Sequence, residues 1–209
     1  MGQHLRTGRP TRAEAAELER RLREAALEVF SDRGFEGATM EEIARAAGIS
    51  KRTLYAKYPD KRALFAKVLP WAMSTLNWDA PDLDDVADDL PSALAAIARI
   101  AIARVVDPQV ARLTRVAMSE AHHFPEFAEA AHSMTWSPRL RSVVDVLERH
   151  ARAGAIVVDD PELAAEQFLA MVSGFPAMLA VFGLRRDPDD EERHIRHAVT
   201  LFHAGLTPR

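Results

Sequence analysis

The chain has 209 residues, 48% of them apolar, which is enough to bury a core in one large domain or in two smaller ones. It contains no cysteine, so disulfide scaffolds and thiolate chemistry are excluded. The net charge of −4 divides into +4 over residues 1–70, which hold all four lysines, and −8 over residues 71–209. This asymmetry predicts that the first third faces a polyanion, with chance clustering as the alternative.

The sequence shows no apolar run that approaches the roughly 18 residues of a membrane-spanning helix. The first residues, MGQHLRTGRPTR, lack the apolar stretch of a secretion signal. We therefore predict a soluble cytoplasmic protein without a membrane partner.

Apolar residues recur at every third or fourth position, and alternation with a period of two is rare, which predicts an all-α fold. The first helix is expected over residues 12–33, with Gly34 as its left-handed C-cap. A short second helix follows Thr39, where Glu42 stands at the spacing of a capping box. These signals predict two helices separated by a tight turn.

Ser50 is the expected cap of a third helix at 51–57, and a fourth helix is expected to continue to residue 76. The acidic stretch at 77–91 is predicted to be a connection. Beyond it we expect five longer helices, each with a proline near its start, where a missing backbone N–H has no cost. These five are placed at 91–106, 108–122, 125–153, 161–183 and 189–205.

Residues 39–58 have the pattern of a helix-turn-helix, which needs a small residue at the helix contact, a glycine in the turn and apolar anchors. Ala44 is the small residue and Gly48 the turn glycine. With Leu54 turned inward, the exposed start of the second helix would carry side chains able to reach base edges in a major groove. Those side chains are Lys51, Arg52, Thr53 and Tyr55.

Further positions are suited to the DNA backbone. Lys57, Tyr58 and Lys61 follow the second helix and are predicted to contact phosphates. The N-terminal amides of the helix that starts at Thr39 are expected to bind another phosphate. The alternative is a solvated helical hairpin whose charges only keep a bundle soluble.

The same stretch carries a dense set of other positions at fixed spacing: Phe30, Gly34, Phe35, Thr39, Ile43, Ala44, Ala47, Gly48, Ile49, Ser50, Leu54, Tyr55, Tyr58, Pro59, Asp60, Lys61 and Leu64. Together they resemble the signature of TetR-family transcriptional regulators. The resemblance implies that the second helix of the motif contacts DNA and that Lys61 contacts a phosphate. It also implies a homodimer with a ligand-binding C-terminal domain. Lys57 stands where that family often has histidine.

The predicted organisation has four parts. Residues 1–11 form a flexible basic arm, either disordered or lying in the minor groove. Residues 12–60 form the helix-turn-helix DNA-binding domain, and residues 61–76 a connecting helix. Residues 77–209 form a larger helical domain for ligand binding and dimerisation.

The helix expected at 161–183 is apolar nearly all round, which indicates burial on two sides. One side would face its own domain and the other a partner subunit across a two-fold axis. The residues predicted for this dimer interface are Phe175, Met178, Leu179, Phe182, Ile195, Val199 and Phe202. A monomer with one deeply buried central helix is the alternative.

The stretch HHFPEFAEA at 122–130 resembles the middle of the C-terminal domain in the AefR-like branch of the same family, with His123 where arginine is usual. The pocket of an apolar organic effector would lie among the helices at 91–183. Plain core is the more common role for residues of this kind, and the candidate walls are Trp71, Leu76, Met118, Phe124, Met134, Trp136, Phe168 and Met171.

A rival interpretation is an all-helical metal-carboxylate enzyme. Three E-x-x-H pairs have the spacing used by di-metal bundles: Glu120 with His123, Glu129 with His132, and Glu191 with His194. Nucleophile, phosphate-loop and dinucleotide motifs are missing from the sequence. We therefore predict no catalytic residue, metal or cofactor. The predicted function is a ligand-responsive regulator, most simply a repressor, that binds a palindromic operator in double-stranded DNA as a homodimer and is released by a small-molecule effector.

Overall fold

The computed structural model describes residues 11–75, 88–124 and 138–206, with the side chains of 73–75 excepted. Every regular element within these ranges is an α-helix, so the predicted all-α fold is confirmed. The chain divides into two compact units, Met1–Ala72 and Met73–Arg209. Most of the helix predicted as a connection, 61–76, therefore belongs to the first unit.

The described part of the first unit contains α1 (Arg12–Gly37), α2 (Met40–Ala46), α3 (Lys51–Lys57) and the larger part of α4 (Lys61–Thr75). Thr11 caps α1 in a complete capping box with Glu14, a start signal that the sequence analysis did not identify. Helical geometry is interrupted at Gly34, whose φ of 68° confirms the predicted left-handed stop. The three residues after Gly34 form a separate turn before α2.

An aromatic cluster holds the first unit together. The Phe30 ring meets the edge of Phe65 at a centroid distance of 4.8 Å, and Phe35 folds back to lie 5.0 Å from Phe65. Leu22, Ile43, Leu54 and Leu64 are fully buried around it. Burying side chains of this size contributes about 1.5–3 kcal/mol each, so α1 to α4 are held in place by their inner faces.

The described part of the second unit contains α5 (Leu90–Val105), α6 (Pro108–Glu120), α7 (Pro138–Arg152), α8 (Pro161–Val181) and α9 (Pro188–Leu206). Asp89, Asp107 and Asp160 accept hydrogen bonds from backbone amides of the first turns of α5, α6 and α8. A proline stands in each of these first turns, which confirms the predicted role of proline at helix starts. Of the helix predicted at 125–153, residues 125–137 lie outside the described residues.

The core of the second unit is built around α5, which packs against α7, α8 and α9. Phe168 of α8 and Phe202 of α9 meet at a centroid distance of 5.0 Å inside it. Ile195 and Val199 are buried in the same cluster. The inward face of α9 is therefore fully used within its own subunit.

Helix α8 is apolar on two sides. Its inner face buries Phe168 and Val172, while Met171, Phe175 and Met178, at helical spacing, stay exposed together with Phe182 at the C-cap. By length and composition α8 is the one helix in the described ranges that meets the requirement for crossing a membrane. This corrects the prediction that no apolar segment reaches that length. Helix α8 meets the requirement because its outer face is apolar as well as its inner face.

Candidate nucleic-acid interface

The orientation of α3 is fixed by its start. Gly48 takes a φ of 66° in the turn after α2, and the backbone amide of Ile49 donates to the Ala44 carbonyl at 2.9 Å. The Ser50 hydroxyl then accepts a hydrogen bond from the amide of Thr53 at 3.1 Å. The predicted turn glycine and helix cap are both confirmed.

The inner and outer faces of α3 differ sharply. Leu54 is completely buried, whereas its neighbour Tyr55 is 46% exposed and Lys51 and Arg52 are exposed as well. Neither Arg52 nor Tyr55 has a side-chain partner in the part of the chain that the structure describes. The start of α3 therefore presents a free guanidinium and a free phenol to solvent, in the predicted outward positions.

Two other side chains at the start of α3 are engaged locally. The Lys51 ammonium lies 2.7 Å from a Glu41 carboxylate oxygen, and its hydrogen bond lowers the pKa of Glu41. Thr53 is half-buried, and its hydroxyl shares a 2.8 Å hydrogen bond with the hydroxyl of Ser50. Lys51 can exchange its exposed ion pair for a phosphate at small cost.

Glu19 of α1 fastens the end of α3. Its carboxylate accepts hydrogen bonds from the Lys57 ammonium at 2.8 Å, the Tyr58 hydroxyl at 2.5 Å and Arg23 at 3.1 Å. Burial alone would raise the pKa of Glu19, but the hydrogen bonds from Lys57 and Tyr58 outweigh it and the pKa is lowered. The sequence analysis missed Glu19, since it lies 38 residues from Lys57.

Tyr58 is placed differently from the prediction. Its side chain is only 8% exposed, and burial, reinforced by the Glu19 carboxylate, raises the pKa of its hydroxyl. A ring buried against α1 positions the end of α3 and leaves little of its surface exposed. Lys57 remains partly exposed and keeps N–H donors beyond the one that Glu19 accepts.

Lys61 and Thr39 lie at the starts of α4 and α2. The Lys61 ammonium donates to the Glu36 carbonyl at 3.1 Å and stands 4.6 Å from the centre of the Phe35 ring. The Thr39 hydroxyl accepts from the Glu42 amide at 3.2 Å and donates to the Glu42 carboxylate at 3.0 Å. The carboxylate of the predicted capping box therefore binds the threonine hydroxyl.

Comparison with known protein families shows to which family the chain belongs. A family model described as "Bacterial regulatory proteins, tetR family" matches residues 22–68. A second, described as "AefR-like transcriptional repressor, C-terminal domain", matches residues 92–205, more than half of the chain. The chain belongs to the TetR family. TetR-family proteins are DNA-binding transcriptional regulators, so the helix-turn-helix built by α2 and α3 is the DNA-binding element of one.

Individual relatives of the chain are also transcriptional regulators of the helix-turn-helix type. The chain is 29% identical to the transcriptional regulator AcrR of Shigella flexneri over 119 residues, which cover 57% of this chain and 54% of AcrR. It is 40% identical to RutR of Escherichia coli K12 over 75 residues, 36% of this chain and 34% of RutR. The chain thus spans about half, or less, of the length of these curated relatives.

Solved TetR-family structures match over most of the chain. A regulator from Mesorhizobium loti is 27% identical, with a TM-score of 0.74, and the match covers 95% of this chain and all of the other. The flavonoid-responsive regulator FrrA is 30% identical, with a TM-score of 0.73, over 93% of this chain and 99% of FrrA. The two-unit helical architecture is therefore that of known TetR-family structures.

The residues predicted to line an effector pocket are scattered. Phe124 and Phe168 are fully buried, but Met118 is 65% exposed and Met171 lies on the outer face of α8. Trp71 belongs to the first unit, where the Arg23 guanidinium lies 5.6 Å from the centre of its ring. Leu76, Met134 and Trp136 lie outside the described residues. The described positions of this set do not define a common pocket.

The predicted dimer interface separates into two groups. Phe175, Met178 and Phe182 are exposed on α8, and Leu179 is half-buried. Ile195, Val199 and Phe202, in contrast, are buried in the core of their own subunit, so their assignment to an interface is wrong. The outer face of α9 instead carries His197 and Leu201, both exposed.

The E-x-x-H pairs are not assembled into a metal site in the part of the chain that is described. His123 lies 3.5 Å from Glu120 on an exposed turn. His194 donates from Nε2 to the Val172 carbonyl at 2.9 Å, which ties α9 to α8. Glu129 and His132 lie outside the described residues, and among those described no group of three His, Asp or Glu side chains is placed to hold a metal.

A surface cleft of about 420 Å³ lies beside α9 and was not predicted. It is lined by Arg186, Asp190, Arg193, His194 and His197. Three of its five lining residues carry charge at neutral pH, so it differs from the apolar pocket that the sequence led us to expect.

Proposed function

We propose that the chain is a cytoplasmic, homodimeric TetR-family repressor that binds a palindromic operator and is released by a small organic effector. In this arrangement the two copies of α3 enter successive major grooves, with centres about 34–36 Å apart. The observation that carries the proposal is the outer face of α3, where Arg52 and Tyr55 are exposed and have no side-chain partner among the described residues, while Leu54 anchors the opposite face.

On this proposal Arg52 reads guanine, because its planar guanidinium can donate two parallel hydrogen bonds to the guanine O6 and N7 atoms. Tyr55 and Thr53 contact neighbouring bases. Lys51, Lys57 and Lys61 hold phosphates, as do the amides that follow Thr39. Each of these lysines gives up a local carboxylate or carbonyl partner, or shares it, when the phosphate arrives.

The dimer is proposed to form on the outer face of α8. Phe175, Met178 and Phe182 recur at helical spacing and are 49%, 47% and 73% exposed. An apolar stripe of this length is typical of a protein interface. Gly174 lies beside it with nothing within 4 Å of the position of an added Cβ, which leaves room for a partner helix. We extend the proposed dimer interface to the outer face of α9, which carries the exposed Leu201.

Release by an effector is supported by the match to an AefR-like repressor C-terminal domain and by the similarity to FrrA, whose name describes it as flavonoid-responsive. The effector would favour a conformer in which the spacing of the two α3 helices no longer fits the operator. Such coupling typically amounts to about 1–3 kcal/mol. Helix α4, which continues from the first compact unit into the second, is the proposed mechanical link.

The test is selection of binding sites from random duplex DNA, followed by sedimentation of the complex with the recovered sequence. We expect a palindrome with half-site centres about one helical turn apart, bound by two chains. Recovery of no preferred sequence, or of a single half-site bound by one chain, would contradict the proposal. A search of the DNA beside the gene for the recovered palindrome would then test autoregulation.

A further inference from the structure

Arg139, in the first turn of α7, has an unusual environment. Its side chain is half-buried, and its Nε atom is fully buried with no hydrogen-bond partner. No carboxylate pairs with it among the residues that the structure describes. A buried guanidinium nitrogen without a partner is costly, because the water that it loses is not replaced by another acceptor.

A second cation worsens this environment. Arg104 lies in the last turn of α5, a helix that packs against α7, and it too has no side-chain partner among the described residues. Burial lowers the pKa of Arg139, and the positive charge of Arg104 lowers it further. Two like charges near each other in a partly dry region repel, and an anion bound by both relieves the repulsion.

Several other arginines of the second unit have polar partners. Arg99 binds Glu192 at 2.6 Å, and Arg193 binds Asp190 at 2.5 Å. Arg115 donates to the Val181 carbonyl at 2.8 Å, and Arg185 donates to the Val106 carbonyl. Among the described residues, the unpaired nitrogen that is fully buried belongs to Arg139.

The helix that carries Arg139 also borders the apolar core. The next residue, Leu140, and Val143 one turn later are both buried in the core that α7 shares with Ala101 and Ile102 of α5. A molecule bound at Arg139 would thus meet a cationic group at the edge of an apolar core. Guanidinium groups match the planar, two-oxygen geometry of a carboxylate especially well.

We infer that Arg139 and Arg104 bind the carboxylate head of the effector, whose remaining part is apolar. The inference rests on the proposed function and narrows its ligand class, from an apolar molecule to an amphipathic organic acid. The anion supplies the missing acceptor for Arg139 and relieves its repulsion with Arg104. The effector-free protein keeps both charges uncompensated, so binding of the acid stabilises the fold.

The first test needs no ligand. Arg139→Met keeps the aliphatic volume and removes the charge, so in chloride buffer we expect its Tm to rise by about 2–4 °C. Arg141→Met is the matched control, because Arg141 lies in the same helix but is exposed, and its Tm should not change. A fall in the Tm of Arg139→Met would show a structural role and overturn the inference.

The second test uses formate, the smallest carboxylate, against chloride at equal ionic strength. Formate stabilises proteins generally, so the readout is the difference between variants. We expect a Tm increase about 2–4 °C larger in the wild type and Arg141→Met than in Arg139→Met. Equal increases in all three proteins would overturn the inference. Arg139→Gln and Arg104→Met provide the same comparison if Arg139→Met does not fold.

Octanoate and 1-octanol test the apolar part of the ligand. Octanoate should stabilise the wild type at a concentration at least tenfold lower than formate, while octanol should not discriminate between wild type and Arg139→Met. If octanoate and formate act at the same concentration, the inference that the rest of the ligand is apolar is wrong. If the wild type in chloride binds no operator, the proposed function is contradicted, but the thermal shifts can still occur. Failure of the proposed function can therefore be distinguished from failure of the inferred carboxylate site.

Discussion

Helices α3 and α8 each bury one face in their own unit, but their outer faces differ in polarity. Each buries one face in its own unit, through Leu54 in α3 and through Phe168 and Val172 in α8. The outer face of α3 carries Arg52 and Tyr55, whereas that of α8 carries Phe175 and its apolar neighbours. A surface with free hydrogen-bond donors and positive charge suits DNA, and an apolar stripe suits another protein surface.

The difference shows how one chain separates two kinds of recognition. Charged hydrogen-bond donors can bind DNA in a hydrated interface, because phosphates and base edges replace the water molecules that the donors lose. Apolar side chains gain only when water is removed, so they are grouped on one long helix. The substitutions below change one outer face, or the packing that holds α3 in place, and leave the other helix unchanged.

The largest effect is expected from Phe175→Glu. Two copies of a carboxylate would be desolvated in the proposed interface, each with Arg186 as a nearby cation, and their burial costs about 4 kcal/mol or more per dimer. We expect monomers in sedimentation velocity and loss of most operator affinity. Because Phe175 is half-exposed within its own subunit, the helix content by circular dichroism should not change.

Met118→Glu is the matched control, since Met118 is also exposed and apolar but lies on α6 and is not one of the residues proposed for the interface. It should remain a dimer and bind DNA like the wild type. A dimeric Phe175→Glu protein would show that the interface lies elsewhere and would remove α8 from the comparison.

The next largest effect concerns the inner face of α3. Leu54→Ala removes a fully buried side chain and should lower the free energy of unfolding of the first unit by about 2–5 kcal/mol. Tyr55→Ala, one residue along, should change that free energy by less than about 0.5 kcal/mol and weaken operator binding instead. Urea titration with a DNA-binding assay on both variants measures the contrast. Equal destabilisation by the two would mean that α3 is oriented differently.

Arg52→Ala tests specificity. Loss of a bidentate contact should cost about 1–3 kcal/mol of operator affinity and relax the preference at one position of each half-site. Arg21→Ala, which removes an exposed arginine from α1, should leave the selected sequence unchanged. An Arg52→Ala protein that selects the wild-type sequence would exclude Arg52 from base reading.

Local signals in the sequence were sufficient for the turns and helix caps of the first unit around α2 and α3. The stop at Gly34, the cap at Ser50 and the inward direction of Leu54 each depend on one turn of chain, and all three predictions are confirmed. Tyr58 was misplaced because its partner Glu19 lies 39 residues away, and no local pattern connects them.

The second unit exposed a different limit. Periodicity shows that Ile195, Val199 and Phe202 share a face of α9, but it cannot show whether that face meets its own core or a partner. The structure places it in the core. Nor does composition separate Arg139 from Arg141, although one has a fully buried nitrogen and the other is exposed. Burial is set by the packing of α5 against α7, which is a tertiary property.

The smallest effect is expected from Glu19→Gln, which leaves both outer faces intact and loosens only the attachment of α3 to α1. Glutamine keeps the shape and loses the charge that binds Lys57 and Tyr58, so the free energy of unfolding should fall by about 1 kcal/mol at neutral pH. The pKa of Glu19 is lowered from its ordinary value of 4.5, so its contribution is present above that pH and is lost as the pH falls through the lowered value.

Urea titrations of both proteins between neutral and acidic pH measure this dependence. The difference between wild type and Glu19→Gln should shrink as Glu19 becomes protonated, and at the acidic limit the two proteins should be equally stable. A difference that stays constant with pH would mean that the carboxylate charge contributes nothing and that Tyr58 alone, through its buried ring, holds the end of α3. In that case operator affinity should also be unchanged, because the outer face of α3 would keep its position.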